Sequence, residues 1–266
     1  MTLNVCVAGA SGWVGKPLCK AIAATGDLAL TGAVARSAAG RPLSGVVEGT
    51  DLDLVVSGSV REALETPADV LVEFTQPAAA KEHVLTAIDR GVHVVIGTSG
   101  LTDSDFAEIE RAASARNVGV IAAGNFAITA VLLERFAREA AKHLSSWEVI
   151  DYAKDTKPDA PSGTAREVAF HLAEIGNSKI SYPVEQTIGP KESRGANLNG
   201  SQVHSIRLPS YTIAVEVIFG AEDERLTIRH DAGVGAAPYI QGTLLAIRKV
   251  PTVSALVRGL ANAPLH

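Results

Sequence analysis

Along the first half of the chain, short apolar runs alternate with amphipathic segments, the pattern of a parallel sheet with crossover helices. The runs predict strands over 5–8, 28–35, 52–56, 70–74, 93–96 and 118–122. Amphipathic stretches between them predict helices over 16–24, 78–90 (closed by Gly91) and 103–116. The last of these opens on acids and ends on arginines, the order a helix dipole prefers. After Asn125-Phe126 the texture changes. A long helix over 130–144 leads to a strand over 147–152, a polar turn over 154–162 and a helix over 164–175. A loop over 186–202 precedes three β-type runs, 203–208, 212–219 and 225–230. A final helix over 239–249 is expected to return to the first domain. The fold class is therefore α/β, a doubly wound parallel sheet, followed by an α+β domain on an open sheet.

Composition narrows what such a chain can do. With 266 residues, 47% of them apolar and 20% charged, it can bury one large core or two moderate ones, and wholesale disorder is excluded. A net charge of -5 and a pI of about 5.8 offer no basic field to nucleic acid or an anionic membrane. Any anionic ligand must be met by a few placed cations. The two cysteines, Cys6 and Cys19, lie in a strand and a helix and suggest no disulfide framework. No targeting segment and no membrane-length apolar run is apparent, so a cytoplasmic location is expected.

The first chemical motif is Gly9-Ala10-Ser11-Gly12-Trp13-Val14-Gly15, directly after the first strand and opening a helix. Such a loop lets backbone approach a pyrophosphate while the helix end supplies N–H groups and positive dipole, so the first domain reads as Rossmann-type. Gly9, Ser11, Gly12, Trp13, Val14 and Gly15 are the expected contacts, with Trp13 either covering the cofactor or packing on a neighbouring helix. An NAD site ends its second strand on an acid, whereas an NADP site prefers a cation for the 2′-phosphate. Here the strand ends on Ala35-Arg36-Ser37 with no acid on either side, which favours NADPH, with NADH as the alternative. The bland alternative for Arg36 is a solvated surface arginine. Loops at the ends of later strands, Phe74-Thr75, Gly97-Thr98-Ser99 and Gly124-Asn125-Phe126, are expected at the nicotinamide end, or are turn chemistry alone.

In the second half, Asp155-Thr156-Lys157-Pro158-Asp159-Ala160-Pro161-Ser162-Gly163-Thr164-Ala165 precedes a helix. Ser162, Gly163 and Thr164 converge hydroxyls and N–H groups, and Lys157 adds a cation, so a substrate carboxylate is the expected guest. An N-cap with a proline-stiffened connection is the alternative.

At these residues the chain resembles the dihydrodipicolinate reductase family. The glycine loop, Val72-Glu73-Phe74-Thr75-Gln76-Pro77, Ile96-Gly97-Thr98-Ser99-Gly100, Ala123-Gly124-Asn125-Phe126, the Lys157 to Ala165 turn, Val203-His204-Ser205-Ile206-Arg207-Leu208-Pro209 and Glu216-Val217-Ile218-Phe219-Gly220 carry the resemblance. So do Leu226-Thr227-Ile228-Arg229-His230-Asp231 and Leu244-Leu245-Ala246-Ile247-Arg248-Lys249-Val250. The resemblance implies a dinucleotide-binding domain over 1–126 and 235–266 and a substrate and oligomerisation domain over 127–234, with an open mixed sheet that assembles a homotetramer. It implies hydride transfer from NAD(P)H to a cyclic unsaturated dicarboxylate, with Lys157 and Ser162-Gly163-Thr164 holding a carboxylate.

The departures lie at acid–base positions. The family carries two adjacent histidines before that turn, the first assigned as its proton donor, where this chain has Ala153 and Lys154. A further family histidine before Glu216-Val217 appears as Ala214-Val215, and the stretch from Ala232 to Ala237 lacks the family's Arg and Ser. Hydride chemistry belongs to the nicotinamide, so what changes is the group with a near-neutral pKa. Lys154 serves if burial or Lys157 lowers its pKa, and otherwise binds an anion; Tyr152, Asp155 and water are the other donors. Lys157 and Lys154 are thus the catalytic candidates.

No other histidine is assigned a role: His204 and His230 read as core or interface, and His83, His93, His143 and His171 show no ligand spacing. No metal cluster is expected. The functional expectation is an NAD(P)H-dependent reductase acting on a C=N or conjugated C=C bond of a small cyclic carboxylate. The family's ordinary activity, 4-hydroxy-tetrahydrodipicolinate reduction, is the first alternative and a non-catalytic nucleotide-binding paralogue the second. A homo-oligomer, dimer or tetramer, is expected.

Overall fold

The computed structural model describes residues 2–263. In chain order its elements begin β1 (Leu3–Ala8), α1 (Gly15–Ala23), β2 (Leu28–Val34), α2 (Val60–Ala63), β3 (Val70–Glu73) and α3 (Pro77–Asp89). Then come β4 (His93–Ile96), α4 (Asp103–Arg116), β5 (Val120–Ala122), α5 (Ile128–Ala141), β6 (Ser146–Ala153) and α6 (Gly163–Ala173). The chain closes with β7 (Ala196–Leu198), β8 (Ser201–Arg207), β9 (Ile213–Ala221), β10 (Glu224–Ala232), α7 (Ala237–Lys249) and β11 (Leu256–Arg258). Two compact units result, one running to Ala127 and resuming at Ala236, the other Ile128–Gly235.

The first unit is built on a six-stranded sheet in the order β11-β5-β4-β3-β1-β2, with every pairing parallel. Its strands are largely apolar because helices cover both faces; Val5 through Ala8 and Val70 through Val72 are fully buried. The strand order reverses at β1, which has β2 on one side and β3 on the other. That reversal opens a crevice at the carboxyl ends of β1 and β3, the usual ligand position of an open α/β sheet. Helix α7 returns to this unit as expected, packing beside α1, and Arg248 pairs with Asp27 at 2.7 Å.

Two predictions are corrected here. Residues 52–56 form no strand: β2 meets the following segment only at the bridge between Val34 and Ser57, and Val55 bridges Pro42. The alternation of Leu52, Leu54 and Val56 with acids looked strand-like, but only single bridges reach it. The sixth strand is instead β11, three residues paired to β5 and too short to show a period.

The second unit carries a five-stranded sheet in the order β10-β9-β6-β8-β7, in which β6 and β8 run parallel and the other neighbours antiparallel. Strand β7, inside the expected loop, is likewise only three residues long. Trp147 and Val149 turn toward α5 and α6, forming a core with Leu133, Val168, Leu172 and Phe219. Ile150, Ile206 and Ile218 therefore project from the opposite face, half-buried or exposed. Cys6 and Cys19 are buried and unpaired, their thiols pushed up to about 12 by burial, so neither is a ready nucleophile. No helix among the described residues is long and apolar enough to cross a membrane.

Candidate active site

The glycine turn sits at the crevice in the first sheet. Gly9 has φ +90°, and a Cβ there would lie 2.2 Å from the Phe74 carbonyl oxygen; at Gly15 it would lie 2.0 Å from the Gly9 carbonyl oxygen. Only glycines let β1 turn this tightly against β3 and into α1. The Gly9 and Ala10 N–H groups donate to the Val34 carbonyl at 2.9 and 3.1 Å, pinning the turn to β2. Helix α1 begins with no side-chain cap and no acid in its first turn. Its dipole is thus uncompensated at that end, and the turn fits a dinucleotide pyrophosphate. Arg36 and Ser37 follow β2 on a short 3-10 turn, both exposed.

Beside the turn lies a cleft of about 340 Å³ lined by Gly12, Trp13, Val14, Phe74, Thr75, Pro77, Gly97, Thr98 and Ser99. The three expected loop groups around β1, β3 and β4 therefore meet in one place. Phe74 lies so close over Gly97 that a Cβ there would sit 2.0 Å from its ring. Trp13 stays 61% exposed while its ring meets Tyr239 of α7 edge-on at 5.7 Å. Gly124, Asn125 and Phe126 do not line the cleft. Phe126 is buried against Phe74 at 5.8 Å, and Asn125 Oδ1 accepts the Ala127 N–H at 2.8 Å. A larger hollow of about 710 Å³ lies over α3 and α4.

The residue that organises the cleft is Glu73, to which the sequence reading gave no role. It is fully buried at the end of β3, and its carboxylate accepts from the Thr75 and Thr98 hydroxyls and, at 3.1 Å, from the Thr75 N–H. Thr98 Oγ1 in turn accepts the same N–H at 2.8 Å. One carboxylate thus fixes the loops after β3 and β4 to each other. An acid at the end of the buried run Val70-Leu71-Val72 was the available signal.

In the second unit the turn is built around Asp151, also fully buried. Its Oδ2 accepts from Arg207 Nη2 at 2.7 Å, the Ser162 N–H at 2.9 Å and the Ser205 hydroxyl at 3.2 Å. Arg207 Nη2 also donates to the Asp159 carbonyl at 2.8 Å, so β6, β8 and the turn are tied together. Ser162 caps α6, accepting from the Ala165 N–H at 3.3 Å. Its N–H and hydroxyl are therefore already engaged; Gly163 and Thr164 form the outer part of the helix end. Lys157 stands beside it, paired with Asp159 at 2.5 Å, and Arg166 approaches the same carboxylate at 3.9 Å. The Lys157 ammonium holds the Asp159 carboxyl below the usual carboxylate range. A carboxylate already rests where a guest carboxylate was expected.

Lys154 is exposed at the end of β6, so the burial that would turn it into an acid is not present. Ala153 is fully buried. Tyr152 donates to Glu216 at 2.9 Å beneath the Arg229 guanidinium, and burial pushes its phenol up. His204 pairs with Glu148 at 2.8 Å and His230 with the Thr129 hydroxyl at 2.8 Å. Ligand atoms of Glu134, Glu167 and His171, from two helices, lie within 4.8 Å of one another.

A parallel sheet with a glycine turn at its switch point, and a second unit presenting a lysine and a helix end, define a two-unit oxidoreductase of the Rossmann type. Two family models match, dihydrodipicolinate reductase N-terminus over residues 3–126 and C-terminus over 129–262, and the chain belongs to the dihydrodipicolinate reductase family. Its relatives include the 4-hydroxy-tetrahydrodipicolinate reductase of Desulfitobacterium hafniense, 37% identical over 98% of each chain. That of Moorella thermoacetica is 38% identical over 98% of this chain and 97% of the relative. Dipicolinate-bound dihydrodipicolinate reductase from Paenisporosarcina sp. TG-14 superposes with a TM-score of 0.86 at 30% identity, covering 98% of this chain and 99% of the other. An amine dehydrogenase from Mycobacterium smegmatis shares the fold at 15% identity, with a TM-score of 0.71 over 99% of this chain and 96% of its own.

Proposed function

We propose that the chain is a 4-hydroxy-tetrahydrodipicolinate reductase that uses NADPH in preference to NADH. The first unit holds the dinucleotide, whose nicotinamide supplies the hydride, and the second holds the substrate's carboxylates. The observation that carries this reading is the cleft that joins the glycine turn to the Phe74-Thr75 and Gly97-Thr98-Ser99 loops, in a chain whose relatives over nearly its full length bear that name. Arg36 and Ser37 take the 2′-phosphate, Arg36 as a bidentate donor. Lys157, Gly163 and Thr164 take a carboxylate, and Asp159 cedes its place on Lys157 to it.

A second reading is favoured by one specific observation. Ala153 is buried and Lys154 exposed where the family has two histidines, so the proton comes from Lys154, Lys157, Tyr152, Asp155 or water, an arrangement suited to a related cyclic imine acid. Turnover tests the pair: NADPH oxidation with freshly prepared 4-hydroxy-tetrahydrodipicolinate supports the first reading. Turnover confined to other cyclic imine carboxylates supports the second, and NADPH binding without turnover on any of them leaves the non-catalytic paralogue. The proposal extends to a homo-oligomer, dimer or tetramer, joined through the sheet face bearing Ile150, Ile206 and Ile218, and a monomer in sedimentation equilibrium would contradict it.

A further inference from the structure

Helices α5 and α6 of the second unit bring together three side chains that the reductase chemistry does not use. Glu167 and His171 are four apart on α6 and so share a face, about 6 Å separating their levels along the axis. Glu134 comes from α5, and one ligand atom from each of the three lies within 4.8 Å of the others.

Glu134 is the telling member. Its side chain is 10% exposed, its Oε1 is buried without a hydrogen-bond partner, and that oxygen stands 3.5 Å from His171 Nε2. Donors on a tetrahedral ion with bonds near 2.05 Å are about 3.3 Å apart, so this edge is already close to ligand spacing. His171 also has a carboxylate at its other nitrogen: Nδ1 lies 3.4 Å from Glu174 Oε2, and Arg138 holds Glu174 at 3.0 Å. A carboxylate behind a histidine fixes the tautomer with its Nε2 lone pair forward, the usual outer support of a metal ligand.

We propose that Glu134, Glu167 and His171 form a binding site for a divalent first-row transition ion of the zinc type, a clamp between α5 and α6. Two carboxylates and a neutral imidazole neutralise such an ion, and water completes its shell. The clamp holds the helix whose opening turn carries Ser162, Gly163 and Thr164. Its role is structural: it acts through the position of α6.

Isothermal titration of zinc chloride into the chelator-treated full chain near neutral pH tests it. One ion per chain is expected, with a rise in melting temperature. Glu174→Gln should weaken affinity about 10- to 100-fold and Glu134→Gln or His171→Ala by more, while His143→Ala leaves it unchanged. Absence of saturable zinc binding would overturn the proposal, as would affinity unaltered in Glu134→Gln. Should His171→Ala not fold, the isosteric Glu134→Gln and Glu167→Gln variants decide the matter.

Discussion

Each unit places a fully buried carboxylate near the end of a central strand, and the two are satisfied in opposite ways. Glu73 in the first unit is held by two threonine hydroxyls, a backbone N–H and, at 3.4 Å, the His83 ring. Asp151 in the second is held by the Arg207 guanidinium together with a backbone N–H and a serine hydroxyl. The ionic arrangement cancels its own charge, and Lys157 nearby is paired in turn with Asp159. Both carboxylates tie loops together, but only one depends on a guanidinium.

The largest predicted effect breaks that ion pair. Asp151→Asn leaves the half-buried Arg207 guanidinium with carbonyl partners alone and should lower stability by about 3–5 kcal/mol in urea unfolding. Glu73→Gln should cost only about 1–3 kcal/mol, since it strands no guanidinium, and should weaken NADPH more than it weakens folding. Equal losses for the two variants would erase the distinction. Next in size, Arg36→Ala should weaken NADPH by about 10- to 100-fold with little change for NADH, because a charge-assisted bond to phosphate is lost. Equal loss for both cofactors would remove the Arg36 assignment.

In the second unit, Lys157→Met should raise KM for the acid about tenfold or more while calorimetric NADPH affinity stays constant. Lys154→Ala should flatten the pH profile of turnover if that lysine supplies the proton; an unchanged profile leaves the role to Lys157, Tyr152, Asp155 or water. The smallest effect is one of pH. His93 accepts the Gly119 N–H at 2.9 Å, and burial holds its pKa below the usual 6.5, against the pull of Asp69. The folded state therefore binds its proton less readily than the unfolded chain. Its contribution is complete above about pH 6.5 and is lost as pH falls below that value, a shallow slope that His93→Gln should remove from unfolding midpoints.

Much of the first unit was legible because its signals are local. Helix α4 runs over the predicted residues, since Thr102 and Asp105 form a capping box at one end and Asn117 takes a left-handed turn at the other. The glycine loop and the Thr75 and Thr98 loops could be read from their places after strands. What escaped was long-range. Asp151 meets Arg207 from 56 positions away, and Glu134 meets Glu167 and His171 across two helices. Phe126 was placed at the cleft because it ends a strand, whereas it is packed behind Phe74. Three-residue strands such as β7 and β11 carry too few positions for a period, and 52–56 shows that alternation without a long neighbour makes no strand.

The central claim is that the first unit binds a reduced nicotinamide dinucleotide at the glycine turn. Titration of NADPH into the full chain, followed by calorimetry, addresses it most directly. One saturable site per chain is predicted, with NADH binding more weakly; no heat from either carrier would contradict the account.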